Sequence, residues 1–141
     1  MAEISPDSRR FAKEFIDGKY LAMIRQGATT FWEVEEGEKA FGYAGSLCHA
    51  WSSIHTWYYG KMTLGICPVE PGFRRFEVRI DPGSFREASG TVPTPDGSIT
   101  VAWKRMENGA LSLSLRYPRT VKAVYRPYEE APYGQVTEEL Y

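Results

Sequence analysis

The chain has little of what most catalytic or metal-binding motifs are built from. Only two cysteines, Cys48 and Cys67, and two histidines, His49 and His55, occur in its 141 residues. The cysteines form no CxxC pair and have no metal-ligand spacing, so they read as reduced, buried thiols. No metal and no organic cofactor is expected. No run approaches the roughly 18 apolar residues that span a bilayer, so no membrane partner is expected. Met1-Ala2-Glu3-Ile4-Ser5 has neither a basic n-region nor an apolar h-region. The expected location is the cytoplasm if Met1 is the native start. Charge of either sign is not in surplus: 17 Lys and Arg against 18 Asp and Glu give a net charge of -1. That balance excludes the basic face a nucleic acid requires. Arg74, Arg75 and Arg79 lie in a strand-like alternation and read as a solvated face. There is no Gly-rich phosphate loop, no Ser-His-Asp arrangement and no internal repeat.

What is present is a globular composition, 43% hydrophobic and 25% charged, sufficient for one core. Aromatic residues reach 14%. That excess suits a saccharide-binding surface and equally suits a β-rich core.

The order of patterns divides the chain. Ser5-Pro6-Asp7 is a helix start: a hydroxyl to cap, a proline in the first turn, an acid near the positive end of the dipole. Phe11, Phe15, Leu21, Ala22 and Ile24 follow at roughly helical spacing. Gly18 costs about 1 kcal/mol inside a helix and predicts a kink or break. Gly27 is placed to end the helix. Residues 28–45 hold three glycines and several acids and read as a loop, in which Glu35, Glu36 and Glu38 form a solvated run. Leu47, Trp51, Ile54 and Tyr58 then recur at three- and four-residue steps, predicting a helix over about 46–61. From Pro68 the period becomes two. Phe76, Val78 and Ile80, then Ile99, Val101 and Trp103, then Leu111, Leu113, Leu115 and Tyr117 alternate with polar residues. Asp96-Gly97 marks a turn and Asn108-Gly109 a type I′ hairpin. The expected fold is α+β: N-terminal helices over 1–65, an antiparallel β-sandwich over 66–127, and an irregular tail over 128–141.

Two stretches carry chemistry, Gly27-Ala28-Thr29-Thr30-Phe31-Trp32-Glu33 and Ser46-Leu47-Cys48-His49-Ala50-Trp51-Ser52. A carboxylate flanked by Thr and Trp, followed by a His that opens an aromatic helix, fits a sugar site. Aromatic faces stack on sugar C–H surfaces, an imidazole holds a hydroxyl, and a carboxylate moves a proton. The blander alternatives are a solvated or helix-terminal Glu33 and a partly buried His49 bonded to a backbone carbonyl. His55 reads as structural, and Trp51, Trp57, Tyr58 and Tyr59 as packing residues.

The order GATTFWE, SLCHAWSS, LGICPVEPGFRRFEVRIDP, SGTVPTPDGSITVAWKR resembles the C-terminal end of bacterial α-L-rhamnosidases of glycoside hydrolase family 78, from about Phe11 to Pro127. The resemblance implies the last helices of an (α/α)6 barrel followed by a β-sandwich. It implies inverting hydrolysis of terminal α-L-rhamnosides by the complete enzyme, with Glu33 as general base, His49 as a sugar contact, and Trp32 and Trp51 as aromatic neighbours. The family's general acid lies upstream of the matched positions, so the isolated chain is expected to be inactive. The implied partners are a rhamnoside and either the rest of the barrel or a second copy. Either would cover the apolar faces of Phe11, Phe15, Trp57 and Tyr58. The competing readings are a non-catalytic carbohydrate-binding or structural β-sandwich module, with Trp103 as its sugar platform, and a degenerate remnant.

Overall fold

The computed structural model describes residues 5–141, which separate into two compact units, one reaching to Thr56 and the other running from Trp57 to Tyr141.

In the first unit the helix α1 spans Pro6–Arg25. Ser5 caps it by accepting the Ser8 amide at 3.2 Å, with Pro6 in the first turn, Asp7 near the N-terminus and Arg25 in the last turn. The helix passes through Gly18 without interruption, where the sequence predicted a break. A 20-residue helix has enough hydrogen bonds on either side to carry one poor residue. Beyond Gly27, which takes φ 91°, the chain is irregular except for a 3-10 turn at Gly37–Lys39 and one short turn, α2, at Ala40–Tyr43.

The predicted helix over 46–61 begins only at Ala50. Its path changes pitch from 3-10 (Ala50–Ser53) through α3 (Ile54–Tyr58) to a π turn (Tyr59–Thr63). Residues 46–49 stay outside the helix because their backbone pairs elsewhere, as described below. The apolar stripe read from the sequence is not buried: Leu47, Trp51 and Ile54 are exposed. Phe11, Phe15 and Trp57 are also exposed, whereas Tyr58 is buried, contrary to the expectation for it.

The second unit is the β-sandwich. One sheet orders β1 (Ile66–Pro68), β2 (Arg75–Val78) and β6 (Lys122–Tyr125); the other orders β3 (Glu87–Thr94), β4 (Gly97–Arg105), β5 (Leu111–Tyr117) and β7 (Tyr133–Leu140). The period-two pattern sets the faces. Ile99, Val101 and Trp103 of β4 and Leu111, Leu113 and Leu115 of β5 are buried against Ile66, Phe76 and Val78. Each such aliphatic side chain contributes about 1.5–3 kcal/mol on burial. Phe76 meets Tyr117 edge-on across the sheets, with ring centroids 5.3 Å apart.

Three features differ from the sequence reading. The expected irregular tail contains β7, which joins the free edge of β5 in parallel register; β2 and β6 are likewise parallel. The Asn108-Gly109 turn is not type I′. Only Gly109 has positive φ, its amide donates to Met106 O at 3.0 Å, and Asn108 Oδ1 accepts the Ala110 amide. This is the longer loop in which one left-handed glycine completes the turn. Cys48 is exposed and Cys67 half-buried, so neither is a core thiol, although both are free.

Candidate functional site

The loop between α1 and the next helical path is a closed Ω-shaped excursion. The Glu33 amide donates to Ser46 O at 2.9 Å, and the His49 amide donates to Phe31 O at 2.7 Å. Residues 31–33 and 46–49 therefore run side by side in opposite directions. Thr30 Oγ1 donates to Leu47 O, and Ser46 Oγ bridges within its own segment to the Cys48 carbonyl and amide. This backbone pairing, not a helix, puts His49 at an extended φ of -125°. It also brings two residues distant in sequence together.

Glu33 Oε2 lies 3.8 Å from His49 Nδ1, and both side chains are about one-third exposed (32% each). At that separation the contact is electrostatic rather than a hydrogen bond. The carboxylate has one fixed donor, the Ser46 amide at 3.2 Å to Oε2. Trp32 lies beneath the loop, its ring so close to Gly37 that a Cβ there would fall 2.8 Å from it. Trp51 stands in solvent at 86% exposure. The structure thus brings together Glu33 and His49, gives Trp32 a packing contact and leaves Trp51 open.

His55 occupies a different environment. Its ring lies 3.9 Å from the Tyr20 ring, tilted by 34°, and edge-on to Phe31 at 4.9 Å, with Nδ1 3.2 Å from Ser52 O. Tyr20 also donates to Ser52 O, and burial raises its phenol above the usual range. This cluster pins α1 to the chain that carries His49. Glu35, read from the sequence as solvated, pairs with Lys19 of α1, and its carbonyl accepts Gln26 Nε2 at 2.8 Å. It anchors the loop.

The sequence reading missed Ser46, whose backbone holds both ends of Glu33. The available signal was Gly37 within the acidic run and Gly45 beyond it. A Cβ at Gly45 would lie 2.0 Å from Gly37 O, so the crossing needs a glycine there.

In the β unit a concavity of about 550 Å³ lies over the outer side of β3–β5, lined by Ser89, Ala102, Ser112 and Ser114 and flanked by Glu87 and Lys104. Trp103 is no sugar platform: it is buried, and its indole N–H donates to Thr63 O at 2.7 Å. Among the described residues, no group of three or more His, Cys, Asp or Glu is placed to hold a metal ion, and no helix is long and apolar enough to cross a membrane.

Comparison with known proteins gives these elements a lineage. A family profile described as the bacterial alpha-L-rhamnosidase C-terminal domain matches residues 65–139, which takes in β7 almost to its end. An alpha-L-rhamnosidase from Alteromonas sp. (strain LOR) is 32% identical over 111 residues, covering 74% of this chain and 12% of that protein. The crystal structure of a GH78 family rhamnosidase from Bacillus sp. GL1 superposes with a TM-score of 0.84 at 27% identity, over 96% of this chain and 15% of that one. The Streptomyces avermitilis alpha-L-rhamnosidase, solved in complex with L-rhamnose, gives 0.61 at 27% identity over 72% of this chain and 10% of that one. This chain therefore spans a small fraction of the length of the relatives it matches. With the β unit matched from Gly65 onward and most of the chain aligned to a rhamnosidase, the chain belongs to the bacterial α-L-rhamnosidase C-terminal domain family.

Proposed function

We propose that this chain supplies one wall of an α-L-rhamnosidase active site, in which Glu33 is the general base and His49 orients a hydroxyl of the terminal sugar. The observation that carries the reading is the Glu33–His49 pair at 3.8 Å, one-third open to solvent and held by backbone pairing instead of by flexible side chains. A carboxylate fixed by one amide donor keeps lone pairs for a water molecule. The neighbouring imidazole can donate or accept toward a sugar hydroxyl. In inverting hydrolysis the base activates water on one face while a separate carboxylic acid, roughly 6.5–9.5 Å away, protonates the leaving oxygen. That acid comes from polypeptide outside this chain, so the isolated chain binds weakly and does not turn over. The rest of the barrel covers Phe11, Phe15, Leu21 and Ile24, which α1 leaves exposed. Trp51, open to solvent, adds an aromatic face at the same wall.

The test is hydrolysis of an aryl α-L-rhamnoside by the complete enzyme containing this segment, with the anomer of the first product followed by NMR. The expected product is inverted, and Glu33→Gln abolishes most turnover. Retained configuration, or an unimpaired mutant, removes Glu33 from the proposed role.

A further inference from the structure

The turn α2 holds three successive left-handed residues: Phe41 (φ 53°, ψ 35°), Gly42 (φ 71°, ψ 42°) and Tyr43 (φ 69°). The left-handed region costs an L-residue roughly 1–2 kcal/mol, and bulky residues rarely occupy it. One other non-glycine residue among those described does so, Phe73, after Gly72 in the β unit. The Phe73 ring packs against the core, and that burial offsets the strain. Phe41 and Tyr43 gain nothing comparable, being 67% and 80% exposed.

Strain of this kind persists only where the surroundings over-determine the backbone, and it concentrates at functional sites. Here the surroundings are identifiable. Gly45 is pressed on Gly37, Gly37 rests on the Trp32 ring, and the Ala44 and Gly45 amides both donate to Ala40 O. Glu33 and Ser46 cross-bond the two ends of the loop. The loop thus holds two aromatic rings clear of the packing of this chain on a rigid support. Tyr43 precedes Ser46 by three residues, so its Cα lies within about 10 Å of the Cα of the residue that anchors the carboxylate.

We propose that Phe41 and Tyr43 form the platform for the leaving group, stacking on the aryl or sugar ring attached to the terminal rhamnose. This rests on the assignment of Glu33 above. Position on the loop assigns the parts. Glu33 and His49, one-third exposed, flank the terminal sugar, while the far more exposed rings stand at the rim, where the remainder of a glycoside emerges. Aromatic rings on a rigid loop offer a flat apolar face and lose little conformational freedom on binding.

The test uses the complete enzyme and two substrates, 4-nitrophenyl α-L-rhamnoside and α-L-rhamnosyl fluoride. The fluoride leaving group has no ring to stack. Phe41→Asn and Tyr43→Asn, singly and together, remove the rings but keep a residue that tolerates left-handed backbone. The double variant is expected to lose about tenfold in kcat/KM on the aryl substrate, through KM, and less than twofold on the fluoride, with an unchanged melting temperature. Equal losses on both substrates, or none on either, overturn the proposal; equal losses with a lowered melting temperature assign the rings to packing against another part of the protein. Undiminished hydrolysis of the fluoride by Glu33→Gln removes the assignment on which the platform rests, whatever the loop variants do.

Discussion

Glu33 and Ser46 hold each other twice: the Glu33 amide donates to the Ser46 carbonyl at 2.9 Å, and the Ser46 amide donates to Glu33 Oε2 at 3.2 Å. The side chain proposed as the base is therefore also the clasp of its own loop, and its two roles are separable by substitution.

Glu33→Gln keeps an oxygen for the Ser46 amide, whereas Glu33→Ala leaves that amide without it. Both are expected to reduce turnover of the complete enzyme by roughly 10²–10⁴, the usual worth of a positioned acid or base. Only the alanine variant also loses stability, by about 0.5–1.5 kcal/mol. Thermal melts beside steady-state kinetics check the split. Equal melting temperatures for the two variants would show that the clasp contributes nothing.

In the β unit, Tyr133 does for two strands what Ser46 does for the loop. Its hydroxyl accepts the Ile80 amide at 3.1 Å and donates to Val78 O at 3.0 Å. Tyr133→Phe strands the Ile80 amide, whereas Val78 O keeps the Arg126 amide at 3.0 Å, beside a core in which Val78 and Ile80 are fully buried. The expected loss is about 1–3 kcal/mol, read as a lower urea midpoint with an unchanged slope.

Alkaline pH should unfold this unit in a defined window. Burial, reinforced by the hydrogen bond to Glu138 and its charge, pushes Tyr117 up to about 12. Burial also takes Tyr133 to about 12, and Tyr125, which shares Glu138, is raised as well. A phenol whose folded pKa exceeds its unfolded value of 10.0 stabilises fully below that value and loses the contribution as pH rises through the folded pKa. Stability is thus expected to be flat with respect to these groups below pH 10 and to fall between about 10 and 12. Tyrosinate absorbance should show a late-ionising class, coincident with loss of β-sheet circular dichroism; Glu138→Gln should shift that class downward. A single ionisation step near 10 in the folded protein would contradict this.

Two glycines make opposite predictions. Gly65 has φ 74°, and a Cβ there would lie 2.6 Å from Ile80 Cγ1 and 2.7 Å from the Ile80 amide nitrogen. Gly65→Ala is expected to cost about 1 kcal/mol in backbone strain and about 1–3 kcal/mol more in overpacking. Gly18 is helical with open space around its Cβ position. Gly18→Ala is expected to stabilise by about 0.5–1 kcal/mol. Denaturant melts of the two single variants decide both.

The β-sandwich was legible wherever a strand buries one face. The alternation at Ile99–Trp103 and Leu111–Tyr117 sets which side chains meet the core, because the side-chain period of a strand is two. β7 was not legible: Tyr133–Leu140 is exposed along nearly its whole length and carries Gly134, Glu138 and Glu139. It is a strand because β5 offers it an unpaired edge, which no local pattern records. Residues 46–49 failed for the converse reason. Their apolar spacing favours a helix, but the carbonyls of Phe31 and Ser46 had partners across the loop.

For the candidate site, sequence alone determined the cast: a carboxylate in Thr-Thr-Phe-Trp-Glu, an imidazole in Cys-His-Ala-Trp, and the glycines that permit a tight crossing. Residue identity and spacing carry that much, since they set propensity, capping and period. The 3.8 Å approach of Glu33 to His49, the left-handed display of Phe41 and Tyr43, and the burial that turned Trp103 from a surface platform into a core residue were decided by tertiary structure. Each depends on which distant backbone group or cavity is available as a partner. That availability belongs to the folded chain, where loop closure has already brought remote segments together, and not to any window of the sequence.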